Sequence, residues 1–279
     1  ITANSNSYGI YLYSSSNNTI SNTTLYNTTQ YGIYLNLGLD NIIQRNTINL
    51  SKRGIHLWLS SFNTIEDNTI SNMDRKNGDT YGDGSGIGIL GNSNRNTITN
   101  NNIWNCTNPL GGCLYLQTAD NNLFSGGIIN LSTTNLVYIY FSSDNNIFKG
   151  MQLLGATNKD VYVMQEQTAN LNNTFLNVTY NLSKEYVPSS SQLIRKWYLN
   201  VYVNTTDGNN VSQANVSGYN ISNNLVFSAL TDSNGNIPTQ ELIEYVNNGG
   251  TRSYQTNYTI NTTKLGYTTQ SKSVNLTTN

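Results

Sequence analysis

Residues 73–86, MDRKNGDTYGDGSG, gather Asp74, Arg75, Lys76, Asp79 and Asp83 in a chain of which only 10% is charged. Asp79 and Asp83 flank a glycine-rich turn and are hard oxygen donors. Ca2+ is therefore the one cofactor this stretch suggests, although the spacing fits no defined calcium loop. The plainer reading is a solvated surface loop. The chain's single histidine, His56, lies upstream in RGIHLW, and an imidazole close to carboxylates would permit acid–base chemistry on a polysaccharide. Cys106 and Cys113 bracket TNPLGG, a turn that suits a small disulfide loop, with two free thiols as the alternative. One histidine and two cysteines are too few for a zinc site.

What these groups can do depends on the strands that carry them. Seven units share an apolar anchor: Ile20, Ile43, Ile65, Ile98, Phe124, Phe148 and Phe175. Two residues before each anchor stands an asparagine: Asn18, Asn41, Asn63, Asn96, Asn122, Asn146 and Asn173. Five after it comes another apolar residue, from Leu25 and Ile48 to Leu153 and Tyr180. About ten before it runs a short alternating segment: YGIYL at 8–12 and 31–35, RGIHL at 53–57, SGIGI at 85–89, and related segments to VYV at 161–163. Compact units repeat every 22 or 23 residues. That period, with three short apolar strands per unit, predicts a coil whose turns stack and bury a shared interior. Each strand would pair in parallel with its equivalent one turn on, roughly 4.8 Å away. The anchors would point inward and the asparagine column would stack its amides, each donating to the next turn.

This repeat resembles the right-handed parallel β-helix proteins of the pectin-lyase-like superfold, and within it NosD-like copper-site assembly proteins and archaeal surface proteins. The likeness covers roughly residues 4–182 and implies an all-β chain with a right-handed parallel β-helix of about seven turns. It is specific for fold and weak for function. The Asp-Asp and Gly-His-Gly signatures of polygalacturonase-like relatives are missing.

The outward column of the first strand face reads Tyr11, Tyr34, His56, Gly88, Tyr115, Tyr138 and Tyr162, without carboxylate or arginine. Stacked aromatics on neighbouring strands stabilise one another modestly. The alternative makes this column a flat platform for sugar rings or for a partner molecule.

Residues 1–182 are thus expected as the β-helix, 183–192 as a Pro- and Ser-containing linker, and 193–279 as a β-sandwich of strand–turn–strand units. The last region is similar to carboxypeptidase-regulatory-like and Ig-like surface modules. Val203, Asp207, Gly208, Val211, Ala214 and Val216 match the first part of their pattern. Thr231, Asp232, Asn234 and Gly235 match the second, and Tyr258, Ile260, Lys264, Gly266, Tyr267, Val274 and Leu276 the third. The resemblance implies a spacer or stalk in which none of these residues is catalytic.

With 14 basic and 15 acidic side chains the chain lacks the basic surface that nucleic acid requires. No apolar run approaches the ~18–20 residues of a spanning helix. Asn-x-Ser/Thr occurs 16 times. The acceptors in the repeats are Asn17, Asn22, Asn27, Asn49, Asn105, Asn130, Asn172, Asn177 and Asn181; beyond them come Asn204, Asn210, Asn215, Asn220, Asn257, Asn261 and Asn275. Scarce lysine and abundant acceptors suggest an extracellular glycoprotein. The start at Ile1 reads as a mature or excised portion, and an uncapped first turn would need a cover from another subunit, for instance by strand addition. The leading expectation is a non-catalytic cell-surface, filament or adhesion subunit that self-assembles or meets other surface proteins. Its alternatives are a carbohydrate-binding module using the tyrosine face, and a polysaccharide lyase or hydrolase centred on His56 and residues 73–86.

Overall fold

The computed structural model describes residues 2–4, 7–74, 83–107, 110–164 and 168–278. Asp79, with Arg75 and Lys76, lies outside the described residues. The described chain is all β apart from two single-turn 3-10 helices, Leu182–Lys184 and Leu276–Thr278. None of its helices is long and apolar enough to cross a membrane. It divides into two compact units, residues 1–193 with 248–250, and residues 194–247 with 251–279.

The first unit is a parallel β-helix with three sheets. The long sheet holds the six-residue strands, from Tyr8–Tyr13 through Tyr31–Asn36 and Arg53–Trp58 to Lys159–Met164. The anchor sheet runs from Thr19–Ser21 to Asn173–Leu176, and the third sheet from Thr2–Asn4 to Gln152–Ala156. Every pairing in these sheets is parallel and joins equivalent positions of successive turns, so Ile20, Ile43, Ile65, Ile98, Phe124, Phe148 and Phe175 form one file. All seven are buried. The three phenylalanines stack at 4.8 and 4.4 Å between ring centroids. A buried apolar side chain contributes about 1.5–3 kcal/mol, so stability accumulates turn by turn along the file.

The corners help to explain the abundance of Asn. The residue two after each anchor has positive φ in all seven turns: Asn22, Arg45, Asp67, Asn100, Gly126, Gly150 and Asn177. So does the residue three before it, from Asn17 and Asp40 to Asn145 and Asn172. Left-handed backbone is tolerated best by Gly, Asn and Asp, so two such positions per turn favour these residues.

The glycine of the YGIYL segments has a different reason. A Cβ on Gly32 would stand 2.5 Å from Ile48 Cγ2, and one on Gly54 would stand 2.7 Å from Ile70 Cγ2. Here the third-sheet file crosses against the long strand, and the backbone itself forms the wall. Gly54→Ala is expected to lower stability by about 1–3 kcal/mol through overpacking, measured as a fall in thermal midpoint.

Residues 183–192, expected as a linker, belong to the first unit. Glu185 and Tyr186 pair in parallel with Val161 and Tyr162, adding an eighth strand to the long sheet, and Val187 and Ser191 are buried. The serines and Pro188 signalled a loop, but the short strand before them carried no repeat signature.

The second unit contains a four-stranded antiparallel sheet in the order Leu225–Leu230, Asn215–Tyr219, Tyr258–Thr263, Gln270–Val274. Strands Gln192–Leu199, Gln240–Asn248 and Thr251–Tyr254 pair with one another. Its core is Val216, Ile237, Leu242, Tyr258, Ile260 and Leu276, with Trp197, Val201, Phe227 and Val274 packed against it.

Candidate functional site

The asparagine column forms a continuous amide ladder. From Asn18 to Asn173, each Nδ2 donates to Oδ1 of the next asparagine at 3.0–3.1 Å. The same oxygen accepts the backbone N–H of the preceding asparagine at 2.8–3.1 Å. From Asn41 to Asn173 these side chains are buried. Two further columns accompany them. At the next corner Asn46 donates to Asn68 and Asn68 to Asn101, each at 3.0 Å. At the end of the long strands Ser60 and Ser93 cap the N–H groups of Gly38 and Ser60 at 2.9 Å, and farther along Ser143, Asn170 and Ser191 cap Ala119, Ser143 and Asn170. The buried polar side chains of these columns thus satisfy backbone that burial would orphan.

The charges meet on the long sheet. Lys52 Nζ lies 3.1 Å from Asp83 Oδ2, Arg53 forms a second ion pair with the same carboxylate, and all three side chains are buried. The end of the insertion is held there by backbone bonds from Gly84 N–H to the Lys52 carbonyl (2.8 Å) and from Gly54 N–H to the Ser85 carbonyl (3.0 Å). Asp83, expected at a cation loop or in a solvated loop, is instead held by two cations that would repel a third. Its partners lie some thirty residues earlier, beyond the reach of local pattern.

Arg53 also sits over the Tyr31 ring, 4.6 Å from its centroid. Tyr31 and Tyr34 stack at 4.4 Å, Tyr8 stacks on Tyr31 at 5.4 Å, and Tyr11 on Tyr34 at 5.2 Å. The paired columns arise because Gly32 and Ile33 both face inward, which leaves the tyrosines on either side of them outward together. Strict alternation had placed only Tyr34 there. His56 meets Tyr31 edge-on at 5.1 Å and lies over Gly88, whose missing side chain makes its space.

Electrostatics hold Tyr31, Tyr34 and His56 in their neutral forms near neutral pH. Burial, and then the Tyr31, Tyr11 and Tyr8 neighbours, push the Tyr34 hydroxyl up to about 12. Burial also raises Tyr31, with Arg53 opposing it. Burial first, and Arg53 second, hold the His56 imidazole well below its usual 6.5. Among the described residues its Nδ1 has no hydrogen-bond partner, so none of their carboxylates orients the ring as a base. Because the folded imidazole resists a proton that the unfolded one accepts near 6.5, stability is full above that value. As pH falls from 6.5 toward the lower folded value it is lost at about 1.4 kcal/mol per unit. In urea titrations between neutral and acid pH, His56→Gln is expected to flatten this part of the profile.

The outward column is not the single exposed face that alternation suggested. Tyr11 is exposed and Tyr34 and Tyr162 are half-buried, but His56, Tyr115 and Tyr138 are buried. Leu90, Tyr140, Phe141 and Met164 pack around Tyr115 and Tyr138. Tyr115–Tyr138 and Tyr138–Tyr162 stack at 5.6 and 5.2 Å. A stacked ring spends its faces on its neighbours and offers a sugar only its edge.

Cys106 and Cys113 form a disulfide with their Cα atoms 5.4 Å apart. All 16 candidate glycosylation asparagines are exposed or half-buried. Asn17, Asn22, Asn27, Asn105, Asn172 and Asn177 stand at the left-handed corners.

Parallel strands stacked into a tube with internal amide ladders define a β-helix protein. The family of NosD, the periplasmic copper-binding protein, matches residues 1–108. No curated protein matches the chain. Among solved structures, a tailspike protein double mutant of E. coli bacteriophage HK620, in complex with a pentasaccharide, is similar at 10% identity and TM-score 0.36, over 96% of this chain and 70% of that one. ORF18 of Geobacillus virus E2 is similar at 12% identity and TM-score 0.32, over 89% and 71%.

Proposed function

We propose that the chain is a non-catalytic structural component of an extracellular or cell-surface assembly, a β-helix spacer followed by a β-sandwich module. One observation carries this reading: the groups capable of chemistry are engaged with each other. Asp83 is held by Lys52 and Arg53, the stacked tyrosines cover one another's faces, and the ladder asparagines satisfy backbone. The antiparallel sheet and the core beneath it support the sandwich. The disulfide and the accessible glycosylation asparagines support an oxidising setting outside the cell. Copper, which appears in the name of the matching family, finds poor donors here. The one histidine is buried, both cysteines are oxidised, and no group of three or more His, Cys, Asp or Glu side chains gathers among the described residues.

Protease treatment of intact source cells is expected to release peptides of this chain, and the purified protein to leave a panel of neutral and acidic polysaccharides uncleaved. Glycan cleavage that disappears in His56→Ala would refute the proposal.

A second reading, glycan or partner binding, is favoured by an exposed aromatic corner. Tyr13, Trp58 and Phe62 are 58%, 40% and 50% exposed, and the Trp58 ring lies along Gly91. Binding on a glycan array that is lost in Trp58→Ala would support it, and an array without signal would remove it.

A further inference from the structure

The antiparallel sheet of the second unit has two edges that pair with no further strand among the described residues, and they differ in kind. The strand Gln270–Val274, QSKSV, is polar, and Lys272 lies opposite the buried Ile260 and hence on the core side of the sheet. An inward-pointing charge on an edge strand blocks the approach of another strand. The strand Leu225–Leu230, LVFSAL, carries no charge, no proline and no lysine. Leu225, Val226 and Leu230 are 58%, 47% and 55% exposed, and Ile221 beside them is 58% exposed.

This edge is complementary to itself. Ala229 pairs with the core residue Val216, and Phe227 and Ala229 pack against the core, so Ser228 and Leu230 face outward. Thr231 exchanges backbone hydrogen bonds with Ala214 and Gln213, on the side of the neighbouring strand. Alternate residues point their N–H and C=O the opposite way, so those of Ser228 and Leu230 address the open side. An antiparallel partner with the same sequence, centred on Ser228, sets Ser228 against Ser228 and Phe227 against Ala229, core side to core side. It also sets Val226 near Leu230, apolar to apolar on the exposed side. The register shift beside Val226 ends the regular run and confines the pairing to this centre.

We propose that Leu225–Leu230 is a self-association edge, where two copies of the chain join their antiparallel sheets about a two-fold axis at Ser228. The occupant is a second copy because, in this register, the exposed Val226 and Leu230 of one uncharged strand cover Leu230 and Val226 of the other, while the opposite edge is guarded by Lys272.

The full chain is expected to sediment as a dimer at about 100 µM and to dissociate on dilution. Leu230→Lys, a surface change, is expected to weaken dimerisation at least tenfold with an unchanged circular dichroism spectrum. Paired Ser228 Cα atoms would stand about 5.5 Å apart, within disulfide reach. The native cysteines are already paired, so Ser228→Cys supplies one free thiol and is expected to form a covalent dimer under mild oxidation. Ser273→Cys, on the guarded edge, is expected to form no covalent dimer under the same conditions. A monomeric wild type at that concentration, an undiminished dimer in Leu230→Lys, or equal cross-linking at Ser273 would each overturn the proposal.

Discussion

Asn63→Ala is expected to lower the unfolding free energy by about 5 kcal/mol, against about 1 kcal/mol for Asn18→Ala. Asn63 Nδ2 donates to the carbonyls of Gly38 (3.1 Å) and Ser61 (3.0 Å) and to Asn96 Oδ1 (3.1 Å). Its Oδ1 accepts the backbone N–H and the Nδ2 of Asn41, at 2.9 and 3.1 Å. Removing the amide strands several of these groups away from water, and each orphaned buried group costs about 1–3 kcal/mol. Asn18 begins the ladder, is half-buried, and shares its donors with a solvent-accessible Ser16 carbonyl. Urea denaturation followed by circular dichroism separates the two. Equal small losses would mean that the ladder ornaments the coil without holding it.

Asp83→Ala is expected to cost about 3–5 kcal/mol, because it leaves the Lys52 and Arg53 cations buried without their counter-charge. Adding Lys52→Met and Arg53→Leu to Asp83→Ala is expected to recover most of that loss, since a well-packed apolar trio substitutes for a buried ionic one. The single-variant loss should change little between low and high salt, in contrast to a surface pair. An Asp83→Ala protein as stable as wild type would restore the view of residues 73–86 as a solvated loop and reopen Asp83 as a ligand for other partners.

The repeat was legible because its signals are local. Asn-x-Ile or Asn-x-Phe at each anchor, the apolar residue five later and the alternating segment ten earlier all lie within one turn of chain, and their register follows from the spacing. The second amide column was harder to read, since only Asn46, Asn68 and Asn101 of its positions are asparagine, with Thr23 before them and Gly127 after. The site was misread wherever the answer depended on contacts between distant turns. Asp83 finds Lys52 and Arg53 across an insertion. Tyr115 and Tyr138 are covered by bulky neighbours such as Leu90 and Tyr140, whose positions strand alternation leaves open. Tyr31 joins Tyr34 because Gly32 yields its inward side to Ile48, a constraint from another sheet. Function is less legible still, since a tube of ladders looks alike whether it bears a ligand or only load.

The most direct test of the stacked coil is a pair of double-cysteine variants in the third sheet. Thr47 and Thr69 are register partners one turn apart, and Asn49 lies two residues off the register of Thr69. In-register Cα atoms stand roughly 4.8 Å apart and the offset pair roughly 8 Å apart. A disulfide spans at most about 7 Å. The coil predicts that Thr47→Cys/Thr69→Cys closes a disulfide under mild oxidation while Asn49→Cys/Thr69→Cys stays reduced. The reverse outcome, or no closure in either variant, would contradict it.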